Sequence, residues 1–422
     1  PVLSRRAFTP ESFDKTTFEK PLATGPYVVD AIEPGAGIVY RRNPDYWGRD
    51  LPLMRGQYNF DIIRIDYYRD STTLYEALQR GLVDVEGDSD SIDAARWAEA
   101  DGIPAVRAGL LNKLEFSVGV PAPMAGLVFN TRRAPFEDRR VREALTLLFD
   151  FEWINKTLFR GLYTRTESYF DRSELSSHGR AADARERALL APYANEVDPA
   201  VMDGTFSEPA SDGSGTNREA RKRAIALFAE AGYSLREGRM VRTATGEPLA
   251  FEMTCVSPEQ ERLMLAYSRF LRQAGVASSV RIVDSAQYQR RATSFDFDMI
   301  QATWASSLSP GNEQSFRWSE AAAFQEGSFN YAGVRSKAAD AMIAAMLNAT
   351  TRADFVSAVR ALDRVLVSGR YAIPLSHTEN QWILAWSHIR RPSGSTLYGA
   401  RLETWWDANA SAAVAGRGDG AR

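Results

Sequence analysis

The side chains best equipped for bond chemistry are few in this 422-residue chain: three histidines, His178, His377 and His388, and one cysteine, Cys255. None of the histidines stands at zinc-ligand spacing from another histidine or from the cysteine, and one thiol builds neither a cysteine-rich site nor an intrachain disulfide. Asp84, Glu86, Asp88 and Asp90 alternate where a strand runs into a loop. The fixed ligand spacing and closing glutamate of a calcium loop are missing there, so the run reads as a solvated acidic edge. The chain has no P-loop, no G-x-G-x-x-G and no G-x-S-x-G elbow. A serine, a histidine and an acid can still meet in space from distant positions, and His377 is where a dispersed peptidase triad could form. The expectation from these residues is no metal, no cofactor and no catalytic centre, with the histidines as ordinary surface or core side chains.

Charge points the same way. The 51 Lys and Arg against 54 Asp and Glu leave a net charge of −3, which argues against broad electrostatic capture of nucleic acid or of an anionic membrane. No apolar run is long enough to span a bilayer. The opening Pro1-Val2-Leu3-Ser4-Arg5-Arg6 has no signal-peptide pattern. The Ala- and Gly-rich stretch 408–422 reads as a disordered tail, and its Arg-Gly-Asp at 417–419 as chance.

The elements that must position any site alternate between strands and helices. Residues 27–32 and 38–42 flank Glu33-Pro34-Gly35-Ala36-Gly37 and read as a hairpin. Residues 61–68 alternate apolar and charged side chains as a half-exposed strand does. A short helix is expected over 71–81, capped from Ser71 to Thr73 and stopped by Gly81, with a strand resuming at 82–85. Residues 127–130 form a short apolar strand before a helix with Val141, Ala144, Leu145 and Leu148 on one stripe. Residues 171–215 read as a long irregular excursion. Beyond them come a helix over 217–231 capped by Asn217, a strand over 249–255, and a helix from Ser257-Pro258 to Gly275. Strands at 280–283 and 295–302, helices at 337–350 and 353–368, and extended segments at 373–375 and 381–386 complete an α/β pattern of two or more lobes.

Several segments, in order, carry a family likeness. Ala23-Thr24-Gly25-Pro26-Tyr27 with the hairpin and Arg42-Asn43-Pro44-Asp45-Tyr46-Trp47-Gly48 resembles extracellular solute-binding proteins of family 5. So do the helix-to-strand step ending at Gly81 and Asp84, Phe129-Asn130-Thr131 through Ala144-Leu145, Phe295-Asp296-Phe297-Asp298-Met299-Ile300 with Trp304, and Ala372-Ile373-Pro374-Leu375. Within the family, 149–159, Ser168-Tyr169-Phe170-Asp171 and 307–314 look most like the YejA-type oligopeptide binders.

The resemblance implies a bilobal periplasmic-binding-protein fold of the class C type, α/β throughout, with two lobes joined by hinge strands. Part of the first lobe spans 1–128, the second 129–374, and 375–407 return to the first. Members begin with a further strand and a small extra domain, so that part of the first lobe, that domain and a signal peptide are expected upstream. The implied function is capture of an oligopeptide in the periplasm by a monomer, and delivery to the permease subunits of an ABC importer in the inner membrane. Rotation would fall on a hinge at Phe129, Asn130, Thr131, Pro374 and Leu375. Trp304 would wall the cleft, with Ser307, Asn312, Glu313, Asn330 and Tyr331 near ligand polar groups and Arg290 facing a ligand carboxylate. Many relatives carry an acid just after the cleft tryptophan. Here Trp304-Ala305-Ser306-Ser307 has none, Glu313 is the nearest candidate, and Gln301 stands where some relatives have Arg. The alternatives are the same fold holding a glycan fragment, opine, haem or metal chelate, the peptidase, and a ligand-sensing regulatory domain.

Overall fold

The computed structural model describes residues 9, 18–87 and 92–409. The opening hexapeptide, Asp88 and Asp90, and 410–422 with the Arg-Gly-Asp lie outside the described residues. The chain divides into two compact units, one of Pro1–Val118 with Asn380–Arg422 and one of Gly119–Glu379. The crossings therefore follow Val118 and Glu379, where the sequence reading divides the chain at 128/129 and 374/375. The reason is hydrogen bonding: the strands Met124–Phe129 and Ala372–Pro374 pair with each other inside one sheet of the second unit.

In the first unit, β1 (Tyr27–Glu33) and β2 (Gly37–Arg42) form the expected hairpin, and β3 (Ile62–Asp66) adds to the far side of β2. A second sheet has the order β4 (Val85–Glu86), β15 (Asn380–Trp386), β5 (Leu111–Ser117), so the returning strand sits in its centre. Its face packs Leu78, Trp97, Leu111 and Leu384, and Trp97 stacks on Trp382 at 5.2 Å. The helix Ser71–Gln79 is capped by Asp70, not by Ser71 to Thr73: its carboxylate accepts from Thr73 N at 2.8 Å. That bond, with the Thr73 hydroxyl, pulls the Asp70 carboxyl down to about 2. A short pair, β16 (Ile389–Arg390) and β17 (Trp406–Asp407), closes the described chain.

The second unit is built on a five-stranded sheet. β10 (Ala250–Cys255) runs parallel to β11 (Ala277–Ile282) and to β12 (Met299–Trp304). β12 pairs antiparallel with β6 (Met124–Phe129), and β6 with β13 (Ala372–Pro374). Side chains alternate across it as the pleat requires. Val128, Ile300, Trp304 and Ala372 enter one core with the helices Lys337–Leu347 and Arg352–Gly369. Leu127, Phe129, Met253, Met299 and Ile373 enter a second with Arg139–Leu147, Arg218–Glu230 and Pro258–Gln273. Covering both faces explains the unbroken apolar runs of β6 and β13 on one side of the sheet, while β11 at its other edge is mostly exposed. Asn217 caps its helix as expected. Two small pairs flank the sheet: β7 (Thr164–Arg165) with β14 (Ser376–His377), and β8 (Tyr233–Arg236) with β9 (Arg239–Arg242).

The stretch 171–215 is more ordered than its polarity suggests. It contains the helices Ala184–Leu190 and Pro199–Met202, the first closed by a capping box between Asp183 and Glu186. No helix among the described residues is long and apolar enough to cross a membrane.

Candidate ligand-binding site

Apart from Arg290, the expected ligand-contact residues lie on β12 and the segments after it. Trp304 ends β12 and is only 3% exposed. Its ring lies 4.8 Å from Trp318 and 6.1 Å from Tyr169 and Tyr331, and its indole N–H donates to Phe329 O at 3.1 Å. Its polar atom is thus used and its ring is packed into the core. Trp318 is likewise closed, donating to Gln314 Oε1 at 2.9 Å. The aromatic surface open to solvent is next door: Phe329 is half exposed, Tyr331 is partly exposed, and their rings meet edge to face at 6.1 Å.

Asn330, between them, is fully buried. Its amide donates to Ser319 O and Val334 O at 2.9 and 3.1 Å and accepts from Val334 N at 2.8 Å. Both ends of that side chain are consumed in closing the loop. Arg132 holds the same loop from beneath. Its guanidinium reaches the carbonyls of Ala323, Asn330 and Tyr331 at 2.7–3.0 Å and lies over the Phe295 ring. Burial, with nearby Arg335 adding, lowers it to about 10. Gly333 carries φ of 75°, and an added Cβ would meet Arg132 Nη1 at 2.9 Å, so the loop has one way to sit. Arg132 lies within the sequence stretch that resembles the family, yet nothing in its spacing marks it: besides Asn130 Oδ1, its partners are backbone oxygens about 190–200 residues away.

On the other loop, Ser307 Oγ accepts from Ser309 N at 3.2 Å, and Arg317 donates to Ala305 O at 2.7 Å. Glu313 opens the helix Glu313–Trp318, with Oε1 accepting from Gly311 N at 2.8 Å. Burial raises its carboxyl, but the Gly311 N–H and the other donors prevail and hold it below the usual range. Asn312 is exposed and touches Ser315. Gln301 Oε1 is buried with no hydrogen-bond partner among the described residues, while Tyr288 O–H donates to the Gln301 carbonyl. Arg290 points outward from the helix Ser285–Thr293, exposed.

The expected hinge residues all lie inside the second unit. Phe129 is a buried β6 residue. Asn130 donates to Phe295 O and Phe297 O at 3.0 and 2.8 Å, and Thr131 Oγ1 to Ala332 O and Gly333 O. Pro374 pairs with Gly126, and Leu375 N donates to Ala125 O. Asn130 and Thr131 brace the approach to β12 and the 330–333 loop, and Pro374 and Leu375 hold β13 against β6.

The histidines have local partners: His377 Nδ1 lies 3.0 Å from buried Thr166 Oγ1, and His388 Nε2 lies 3.1 Å from Asp84. No group of three or more His, Cys, Asp or Glu among the described residues could hold a metal ion.

A mixed sheet with both faces covered, on a chain that leaves the first unit and returns as the central strand of its second sheet, defines a bilobal solute-binding protein. The chain belongs to the bacterial extracellular solute-binding proteins, family 5, whose middle region matches residues 2–325. These are binding proteins of ABC transport systems, not enzymes. A protein of Brucella melitensis is 51% identical over 406 residues, covering 96% of this chain and 66% of its own length. The peptidoglycan-binding protein YepA of Agrobacterium fabrum is 44% identical, covering 97% of this chain and 67% of its own. YejA of the same organism, named for peptide binding, is 36% identical over 95% of this chain and 65% of its own. The chain thus spans just under two thirds of the length of the Brucella relative. In fold it is similar to NikZ from Campylobacter jejuni with Ni(L-His), at TM-score 0.72 and 16% identity over 96% of this chain and 72% of that one. It is also similar to the oligopeptide-binding protein AppA from Bacillus subtilis with a nonapeptide, at 0.68 and 18% over 91% and 66%.

Proposed function

We propose that the protein containing this chain captures oligopeptides in the periplasm and delivers them to an ABC importer. The observation that carries this reading is the 36% identity to YejA, a relative named for peptide binding. The chemistry of the loops is compatible with it. A peptide presents a repeating row of N–H and C=O groups, which a sequence-tolerant binder meets with fixed acceptors and water. Gln301 Oε1 and Glu313 supply acceptors, Ser307 and Asn312 small polar groups, and Phe329 and Tyr331 a flat apolar surface for a side chain. Trp304 and Asn330 serve from behind as the packing that fixes that surface. Arg290 remains the candidate for a ligand carboxylate.

A second reading narrows the ligand to peptides released from the cell wall. The 44% identity to YepA, named for peptidoglycan binding, favours it. One experiment tests both. The full-length protein is purified natively and its bound ligand identified by mass spectrometry. A recurring set of short peptides supports the first reading, and peptides bearing wall-type amino acids or sugars support the second. A sugar alone, a chelate, or no ligand together with no affinity for added peptides overturns both.

A further inference from the structure

Away from those loops, the second unit holds a cavity of about 290 Å³ between the end of the helix Pro258–Gln273, the β8–β9 hairpin and β11. Arg239 and Arg272 both line it. Both are exposed, and among the described residues neither guanidinium has a hydrogen-bonding or ionic partner. Their neighbours differ: Arg236 donates to Thr243 O at 3.2 Å and Arg242 to the Tyr233 hydroxyl at 3.0 Å.

The walls are fixed by backbone geometry. Glu237 and Gly238 have φ of 48° and 76°, the paired left-handed residues of a type I′ hairpin turn, and that turn delivers Arg239 to the cavity. Gly275 has φ of 79°, and an added Cβ would lie 2.6 Å from Leu235 Cδ1 and 2.9 Å from Gly238 O. Met240 N donates to Gly275 O at 2.8 Å, which locks the helix end against the hairpin. Arg272 follows Ser268 by one helical turn and so shares its face.

The lining chemistry is one-sided. No carboxylate is among the lining residues. Ser268 Oγ and Ser278 Oγ are 2.7 Å apart; such a pair uses one hydroxyl hydrogen between the oxygens and keeps one to donate outward. Pro248 and Val276 add an apolar floor. At the end of that helix, where carbonyl oxygens oppose an anion, two are capped by backbone donors: Leu271 O accepts from Ala274 N and Val276 N, and Arg272 O from Gly275 N. Two unpaired guanidiniums, an outward hydroxyl and an apolar floor are the complement of an anionic head on a compact apolar body.

We infer that this cavity is a second binding site, for a small organic anion whose carboxylate or phosphate meets Arg239 and Arg272. It shares no residue with the loops that carry Phe329 and Tyr331, and it does not depend on what the importer's solute is. The test is calorimetric titration of the full-length protein at low salt with benzoate and, separately, with phenyl phosphate, which tells a carboxylate head from a phosphate head. Saturable binding of either, weakened at least tenfold in the R239Q/R272Q double variant, is the expected result. Both side chains are exposed, so the variant should keep the wild-type melting temperature, and a melting curve checks this. Absence of saturable binding by both probes, or equal binding by the folded variant, overturns the inference.

Discussion

The Arg364 guanidinium donates to the Glu186 carboxylate at 2.6 Å, and neither side chain is more than 1% exposed. The same guanidinium also reaches the carbonyls of Val201 and Arg180. One buried cation on the long helix Arg352–Gly369 therefore ties down residues 180–201. Removing only the cation strands a buried carboxylate, the costly case for an ion pair. Arg364→Met should lose about 3–5 kcal/mol in urea unfolding. The R364M/E186M double variant should recover part of that loss, and a double variant as unstable as the sum of the singles would contradict this account.

Asp363, one residue earlier, anchors the start of the same stretch. It is fully buried and accepts from Ser168 Oγ, Tyr169 N, Ser177 N and Ser177 Oγ, all at 2.7–2.8 Å. Every partner is a donor, so an amide of the same shape must point N–H at N–H or O–H. Asp363→Asn is expected to cost about 3 kcal/mol. Denaturant midpoints measure it, and a change under about 0.5 kcal/mol would mean the serines reorient freely.

These two residues also show where sequence reasoning stops. The hairpin at 27–42, the Asn217 and Ser257 caps and the central strands were readable because each signal is local: turn residues, a cap three positions from the N–H it accepts from, an alternation of period two. The order within 171–215 was not, because its fixed points are Asp363 and Arg364, some 160–195 residues away, and a polar stretch with distant anchors has the composition of a loop. The strand 111–117 was missed because Asn112, Lys113 and Glu115 interrupt its apolar pattern. The start of β12 was set too early: Phe295 takes φ of 57° in a turn, and pairing begins at Met299. Trp304 shows the limit for the site. Its type suggested a cleft wall, but packing shows its ring buried, with Phe329 and Tyr331 carrying the open ring surface beside it.

His377 makes stability depend on pH. Burial lowers its pKa from the ordinary 6.5, and the Asp171 carboxylate opposes without cancelling. The folded chain therefore prefers the neutral ring, while the unfolded chain takes up a proton near the ordinary value. More protons on the unfolded state mean stability falls as pH drops below about 6.5, towards the lower folded value. Between pH 7.5 and 5.5 the wild type should lose more in melting temperature than His377→Gln. Equal losses would show that the ring ionises in place without penalty.

The exposed rings beside Trp304 separate ligand contact from packing. Phe329 is 52% exposed, so Phe329→Ala removes apolar surface without opening a core cavity, and its melting temperature should stay within about 2 °C of the wild type. Trp304 is 3% exposed and touches Tyr169, Trp318 and Tyr331, so Trp304→Ala should destabilise by about 3–5 kcal/mol. If Phe329 and Tyr331 meet the solute, Phe329→Ala should weaken its binding about tenfold, the equivalent of about 1.4 kcal/mol, and F329A/Y331A more. The solute used is whatever mass spectrometry recovers from the full-length protein. Unchanged affinity in a folded F329A/Y331A variant would move the contact surface elsewhere on the second unit, with Gln301 and Glu313 the next positions to change.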